Sequence, residues 1–140
     1  MARLHIDLPA SFRFSTEIQI YFSHINLGGH LDNAQLLTLV SEARLRFFKS
    51  LGYSEGNVEG HRIAVGDMMV QYRSEAFHGE TMCIGLEPAD FNKYGLDLVF
   101  CVTDKATGRE VARGKTGIVF IHPHERKAAP IPVPFLAKLS

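Results

Sequence analysis

Residues 33–51 carry apolar side chains around most of a helical circumference, and any fold for this chain has to bury them. Leu36, Leu37, Val40, Ala43, Phe47, Phe48 and Leu51 recur at helical spacing, and Leu39 and Leu45 widen the stripe. Gln35, Thr38, Glu42, Arg46 and Lys49 form a narrow polar strip. A helix this apolar must be wrapped by other structure rather than laid on a surface. Gly52 supplies its C-terminal stop.

The remaining chain reads as strand. Before the helix, Phe14, Thr16, Ile18, Ile20 and Phe22 alternate with Ser15, Glu17, Gln19 and Tyr21, the period of a half-buried strand. After a polar stretch at 54–62, strand-like runs follow at 63–73, 80–92, 96–104 and 109–122. Gly79, Tyr94-Gly95 and Lys105-Ala106-Thr107-Gly108 link them, and links so short require antiparallel neighbours. The tail holds Pro130, Pro132 and Pro134 and reads as extended, with a short helix at its end. The expected class is α+β: a curved antiparallel sheet of about five strands around one long buried helix, in the order β-α-β-β-β-β. One domain spans 1–140, with its core at about 13–122. A single sheet leaves an open edge, so two sheets are expected to pair in a homo-oligomer, dimer or tetramer.

Composition removes several classes of function. Lys plus Arg and Asp plus Glu both number 15, so the formal net charge is zero, unlike a nucleic-acid or anionic-membrane binder. No apolar stretch approaches the roughly 20 residues of a membrane helix. The N-terminus lacks the apolar core of a secretion signal, and a cytoplasmic location is expected. Cys83 and Cys101 lie in β-like apolar runs and are expected to be buried reduced thiols. His122 and His124 share a strand face without a third ligand, so no metal is expected. Gly114 and Gly117 lie in a strand-like run with no helix following, which is not a phosphate loop.

The chemistry concentrates in the run Ser23-His24-Ile25-Asn26-Leu27-Gly28-Gly29-His30-Leu31-Asp32-Asn33, just before the helix that carries Ser41-Glu42-Ala43-Arg44. Together with Tyr72-Arg73-Ser74-Glu75-Ala76-Phe77-His78-Gly79-Glu80, it resembles the 4-hydroxybenzoyl-CoA thioesterase-like branch of the hot-dog superfamily. Members typically show Asp-x-x-Gly-His-x-Asn-Asn before the helix and Glu-x-Ala-Arg on it. The resemblance covers about residues 13–122. It implies a hot-dog fold, an acyl-CoA substrate, hydrolysis to free acid and CoA, and no cofactor. It also implies that the backbone N–H of Asn33 is the oxyanion donor. One position departs from the pattern: Asn26 stands where the family carries its catalytic aspartate. An amide has no useful basicity, so Asn26 is suited to holding a water or the thioester carbonyl, or to shaping the turn.

The residues leave the base open among three. His30 sits beside the helix start and has an imidazole suited to proton transfer, against a structural role in the loop. Asp32 is placed to bind near the substrate but equally to N-cap the helix. Glu42 matches the family's helix glutamate but also lies i,i+4 from Arg46. Gly28 and Gly29 let the backbone approach a substrate closely. His24 reads as an exposed or interface residue. Arg73, Lys93, Arg113 and Lys115 are cations available to CoA phosphates, or solvated surface groups. Against the thioesterase stand a non-catalytic acyl-CoA or acyl-carrier binding module, in which Asn26 marks lost activity, and a hot-dog enoyl-CoA hydratase. The hydratase pattern Asp-x-Asn-Pro-x-His is absent here.

Overall fold

The computed structural model describes residues 4–140. β1 (Phe14–Gln19) leads through a single 3-10 turn (Phe22–His24) and a loop into α1 (Asn33–Ser50). Then come β2 (Arg62–Tyr72), β3 (Thr81–Ala89), β4 (Gly95–Asp104), β5 (Glu110–Ile121) and the short α2 (Val133–Leu139). The five strands form one antiparallel sheet in the order β1-β3-β4-β5-β2. A single curved sheet around one long helix is the hot-dog fold, as the sequence led us to expect.

Burial explains why α1 forms where it does. Leu36, Leu39, Val40, Ala43, Phe47 and Phe48 are all buried, and they meet the sheet side chains Ile84, Leu86, Leu98, Phe100 and Phe120 in one core. Asp32 caps the start, its carboxylate accepting from the N–H groups of Ala34 (3.0 Å) and Gln35 (3.3 Å). At the other end Gly52 adopts φ +90°, a left-handed conformation that only glycine takes without strain. The tail then closes the open end of the barrel-like core. Phe135 of α2 stacks on Phe48 (ring centroids 6.0 Å) and meets Phe120 edge-on (5.2 Å).

The first strand ends sooner than its alternation suggests. Phe22 leaves the sheet and stands 84% exposed. The cause is local: Nδ1 of His24 accepts from the N–H of Tyr21 (2.9 Å), and the His24 N–H donates to the Tyr21 carbonyl (3.0 Å), winding the chain into a turn. The opposite edge, β2, is unlike the inner strands, because none of its residues is fully buried. Cys101 is buried and Cys83 half-buried, both as free thiols. Burial, with Glu110 beside it, pushes the Cys101 thiol up to about 11, so at neutral pH it stays protonated and unreactive.

Phe48 is fully buried and touches both α2 and Phe47. Phe48→Ala is expected to destabilise the fold by about 3–5 kcal/mol, read from chemical denaturation.

Candidate active site

The loop between β1 and α1 is held by its own backbone. Ile25 and Leu31 bridge across it, the Asn26 N–H donates to the His30 carbonyl (3.1 Å), and the Gly29 N–H donates to the Asn26 carbonyl (3.0 Å). Gly29 takes φ +83°, which lets the turn close in so few residues. The Asn26 side chain completes the turn, its Oδ1 accepting from the Gly28 N–H at 2.9 Å. That bond commits the amide oxygen and leaves the Nδ2 amino group as a donor. Two further bonds dock the loop. The Leu31 N–H donates to the Ala76 carbonyl (2.7 Å), and the Asp32 N–H donates to the His24 carbonyl (2.9 Å).

A cleft of about 330 Å³ opens beside this loop. His30 and Asn33 line one side, and Tyr72, Ser74 and Glu75 line the other. The first turn of α1 points its free dipole end here. Ala34 and Gln35 donate to the Asp32 side chain and Leu36 to the Asp32 carbonyl (2.9 Å), so among the described residues the Asn33 N–H alone in that turn has no acceptor. The Tyr72 hydroxyl donates to the Asn33 carbonyl (2.9 Å) and ties the helix start to the end of β2. Burial, reinforced by the Asp32 carboxylate, raises the Tyr72 pKa, so it remains a phenol donor.

His30 is oriented rather than free. Its Nδ1 lies 3.0 Å from the Leu31 carbonyl. A carbonyl only accepts, so Nδ1 must carry the proton, and in the neutral ring Nε2 is left as the basic nitrogen. Gly28 separates this ring from Asn26: a Cβ there would meet Asn26 Oδ1 at 3.2 Å and His30 Nε2 at 3.4 Å. Asn26, Gly28, His30 and Asn33 are thus brought to one end of the helix, with Asp32 as its cap. Glu42 is elsewhere in the protomer. It sits nine residues along α1, about 13 Å of rise from Asn33, and pairs with Arg46 at 2.8 Å. Arg46 in turn donates to Thr16 Oγ1 (2.7 Å) and the Glu17 carbonyl (2.9 Å) of β1. Arg44, the other charged member of that helix motif, pairs with Glu55 at 2.9 Å and anchors the segment after α1. His24 is spent on the turn.

Of the four cations singled out from the sequence, Arg73 lines the cleft, pairing with Glu110 at 3.3 Å. Arg113 is committed to the same Glu110 (2.6 Å), Lys115 to Asp97 (3.2 Å), and Lys93 lies over the Tyr94 ring (5.3 Å). Tyr72 and Glu75 are the cleft residues to which sequence reasoning gave no role. Nothing local distinguishes Glu75 from a surface acid, and only the docking of Leu31 on Ala76 brings it to His30.

The thioesterase-like superfamily matches residues 20–139, and the chain belongs to it. The enzyme class expected from the sequence, thioester hydrolase, is the class of that family. No curated protein matches the chain by sequence. Among solved structures it is similar to a 1,4-dihydroxy-2-naphthoyl-CoA thioesterase from Synechocystis, at 21% identity and a TM-score of 0.83, covering 90% of this chain and 94% of that one. It is also similar to a thioesterase from Thermus thermophilus complexed with coenzyme A and zinc (21% identity, TM-score 0.76, covering 92% and 98%). A third is the 1,4-dihydroxy-2-naphthoyl-CoA thioesterase of Staphylococcus aureus, at 19% identity and a TM-score of 0.78, covering 89% and 86%. Likeness at these identities establishes the fold.

Gly28 has no positive φ, so Gly28→Ala adds crowding without backbone strain. The methyl group is expected to displace Asn26 and the His30 ring, lowering turnover about tenfold or more, while the unfolding free energy moves by less than about 0.5 kcal/mol. Steady-state kinetics beside denaturant titration checks both.

Proposed function

We propose that this protein hydrolyses an acyl-CoA thioester to the free acid and CoA. The observation that carries the reading is the unpartnered Asn33 N–H at the start of α1, in the same cleft as the basic Nε2 of His30. A thioester carbonyl seated at the helix start gains charge on its oxygen as water adds, and the Asn33 N–H with the helix dipole stabilises it. His30 Nε2 takes a proton from the attacking water as the C–O bond forms. Collapse of the tetrahedral intermediate breaks the C–S bond, and the imidazolium returns the proton to the departing thiolate. Asn26 acts through Nδ2, which can donate to the water or the carbonyl. It is no nucleophile, so the path contains no covalent acyl-enzyme. Gly28 and Gly29 leave room for the thioester, and Asp32 keeps the helix start in register.

CoA as the carrier is supported by the coenzyme named for the relatives. The free thiols suit a reducing cytoplasm. The long β2 edge, with Val65 and Tyr72 exposed and no residue fully buried, suits pairing with a second copy. Light scattering of the full chain is expected to give a mass of two or four protomers, and a monomer at micromolar concentration would remove this part of the reading.

The test is thiol release from a panel of acyl-CoA esters that spans short, long and aromatic acyl groups. No release from any of them would overturn the assignment. Asn33→Pro read against Asn33→Ala is the informative variant, because proline is tolerated at the first helical position and both changes remove the side-chain amide while only proline removes the N–H. It is expected to lower kcat/KM by about 10²–10³ with the helix retained by circular dichroism. A large gain in hydrolysis by Asn26→Asp would count against the water path through His30 and show instead that the scaffold lacks only a carboxylate at that position.

A further inference from the structure

The Leu31 N–H to Ala76 carbonyl bond (2.7 Å) joins the loop before α1 to the connection between β2 and β3, and the residues just ahead of its two ends are His30 and Glu75. Ala76 is buried at that point, and the Glu75 carbonyl is held from its other side by Arg109 Nη2 (3.0 Å). The neighbouring Ser74 hydroxyl is fixed to the Glu110 carbonyl (2.7 Å). The backbone under Glu75 is therefore anchored at three successive residues. Its carboxylate lines the cleft, with Oε1 3.8 Å from His30 Nε2, the nitrogen left basic by the Leu31 carbonyl. The other ionisable groups around the ring are Asp32 at the start of α1, and Tyr72 and Arg73 at the end of β2. Asp32 is committed to the helix cap, Tyr72 to the Asn33 carbonyl and Arg73 to Glu110. Among the described residues, Glu75 is the acid beside the ring that the fold leaves unpaired except by the imidazole.

We infer that Glu75 is a positioning residue for the base: it orients and stabilises the imidazolium that forms at His30 when water surrenders its proton. The pairing rests on the hydrolytic reading above. Glu75 works through His30, so the chain replaces the missing carboxylate at Asn26 with one drawn from a different part of the sequence. At 3.8 Å the contact is longer than a hydrogen bond in the resting state, and it strengthens once Nε2 carries a proton.

The experiment follows His30 directly. The full chain with labelled histidine is titrated by NMR, as wild type, Glu75→Gln and Glu75→Asp, beside the pH profile of kcat/KM on the best acyl-CoA of the panel. Glu75→Gln is expected to lower the His30 midpoint relative to wild type in the same titration, since loss of an adjacent carboxylate disfavours the imidazolium. The acid limb of the rate profile should move with it, with kcat down about tenfold and KM within about twofold. Glu75→Asp should recover part of both. An unmoved His30 midpoint overturns the inference whatever the activity. A shifted midpoint with unchanged kcat and unchanged profile overturns the catalytic part of it. Wild-type inactivity on the whole panel counts against the hydrolytic function, and the titration then decides the His30–Glu75 pairing alone.

Discussion

Everything in this molecule depends on hiding α1. A helix with Leu, Val, Ala and Phe on most of its surface has no stable existence in water, and an antiparallel sheet of five strands is about the smallest structure that can curve around it. The curvature leaves one end of the helix inside the sheet's embrace and capped by Phe135 of α2. The other end opens to the cleft. A helix start cannot be buried without partners for its first N–H groups. Asp32 and its carbonyl serve three of them, and the fourth belongs to Asn33, which lines a cleft of mixed polar and apolar walls. The packing problem and the catalytic opportunity therefore have one source.

The same economy governs the loop. Asn26, Gly28 and Gly29 form a turn in which nearly every polar atom is used, and the docking of Leu31 on Ala76 keeps that turn from moving relative to the sheet. His30 is oriented by a bond to the carbonyl of its own neighbour, which costs no additional residue and fixes the tautomer. Precision of this kind matters more for hydrolysis than strength of binding, because misplacement of a base by a fraction of an ångström is felt directly in rate.

Much of this was legible in the sequence, and the reasons differ by element. α1 was readable at both ends because Asp32 and Gly52 carry chemistry specific to helix termini. β3, β4 and β5 were readable because the links between them are short and rich in turn residues, but β2 and β3 are not the antiparallel neighbours that Gly79 suggested: residues 73–80 cross the sheet, and β2 pairs with β5 at the far edge. The end of β1 was not, since Phe22 continues the alternation in letters while the ring of His24 captures the Tyr21 N–H and turns the chain away. Of the helix motif, the sequence could not say whether Glu42 would turn toward the cleft or pair with Arg46. Their mutual ion pair and the bonds of Arg46 to β1 direct both to the far face of the protomer. Glu75 was invisible for a different reason: its meeting with His30 follows from the register of a single backbone bond between distant segments, and periodicity carries no record of that.

The substitution at Asn26 takes on a particular meaning in this setting. An aspartate there would put a carboxylate beside the N–H of Gly28, the ring of His30 and, across the cleft, the carboxylate of Glu75. Two carboxylates flanking one imidazole would compete for its proton and repel each other. With asparagine, the turn keeps its bond to Gly28 while the negative charge shifts to the opposite wall, where it can hold the imidazolium. In the proposed path the attacking group is then water rather than a side chain. A carboxylate nucleophile must be reached by the substrate, whereas a water needs only a base and a donor to aim it. In the proposed path those two groups are His30 Nε2 and Asn26 Nδ2, with Gly28 leaving the space between the two side chains open.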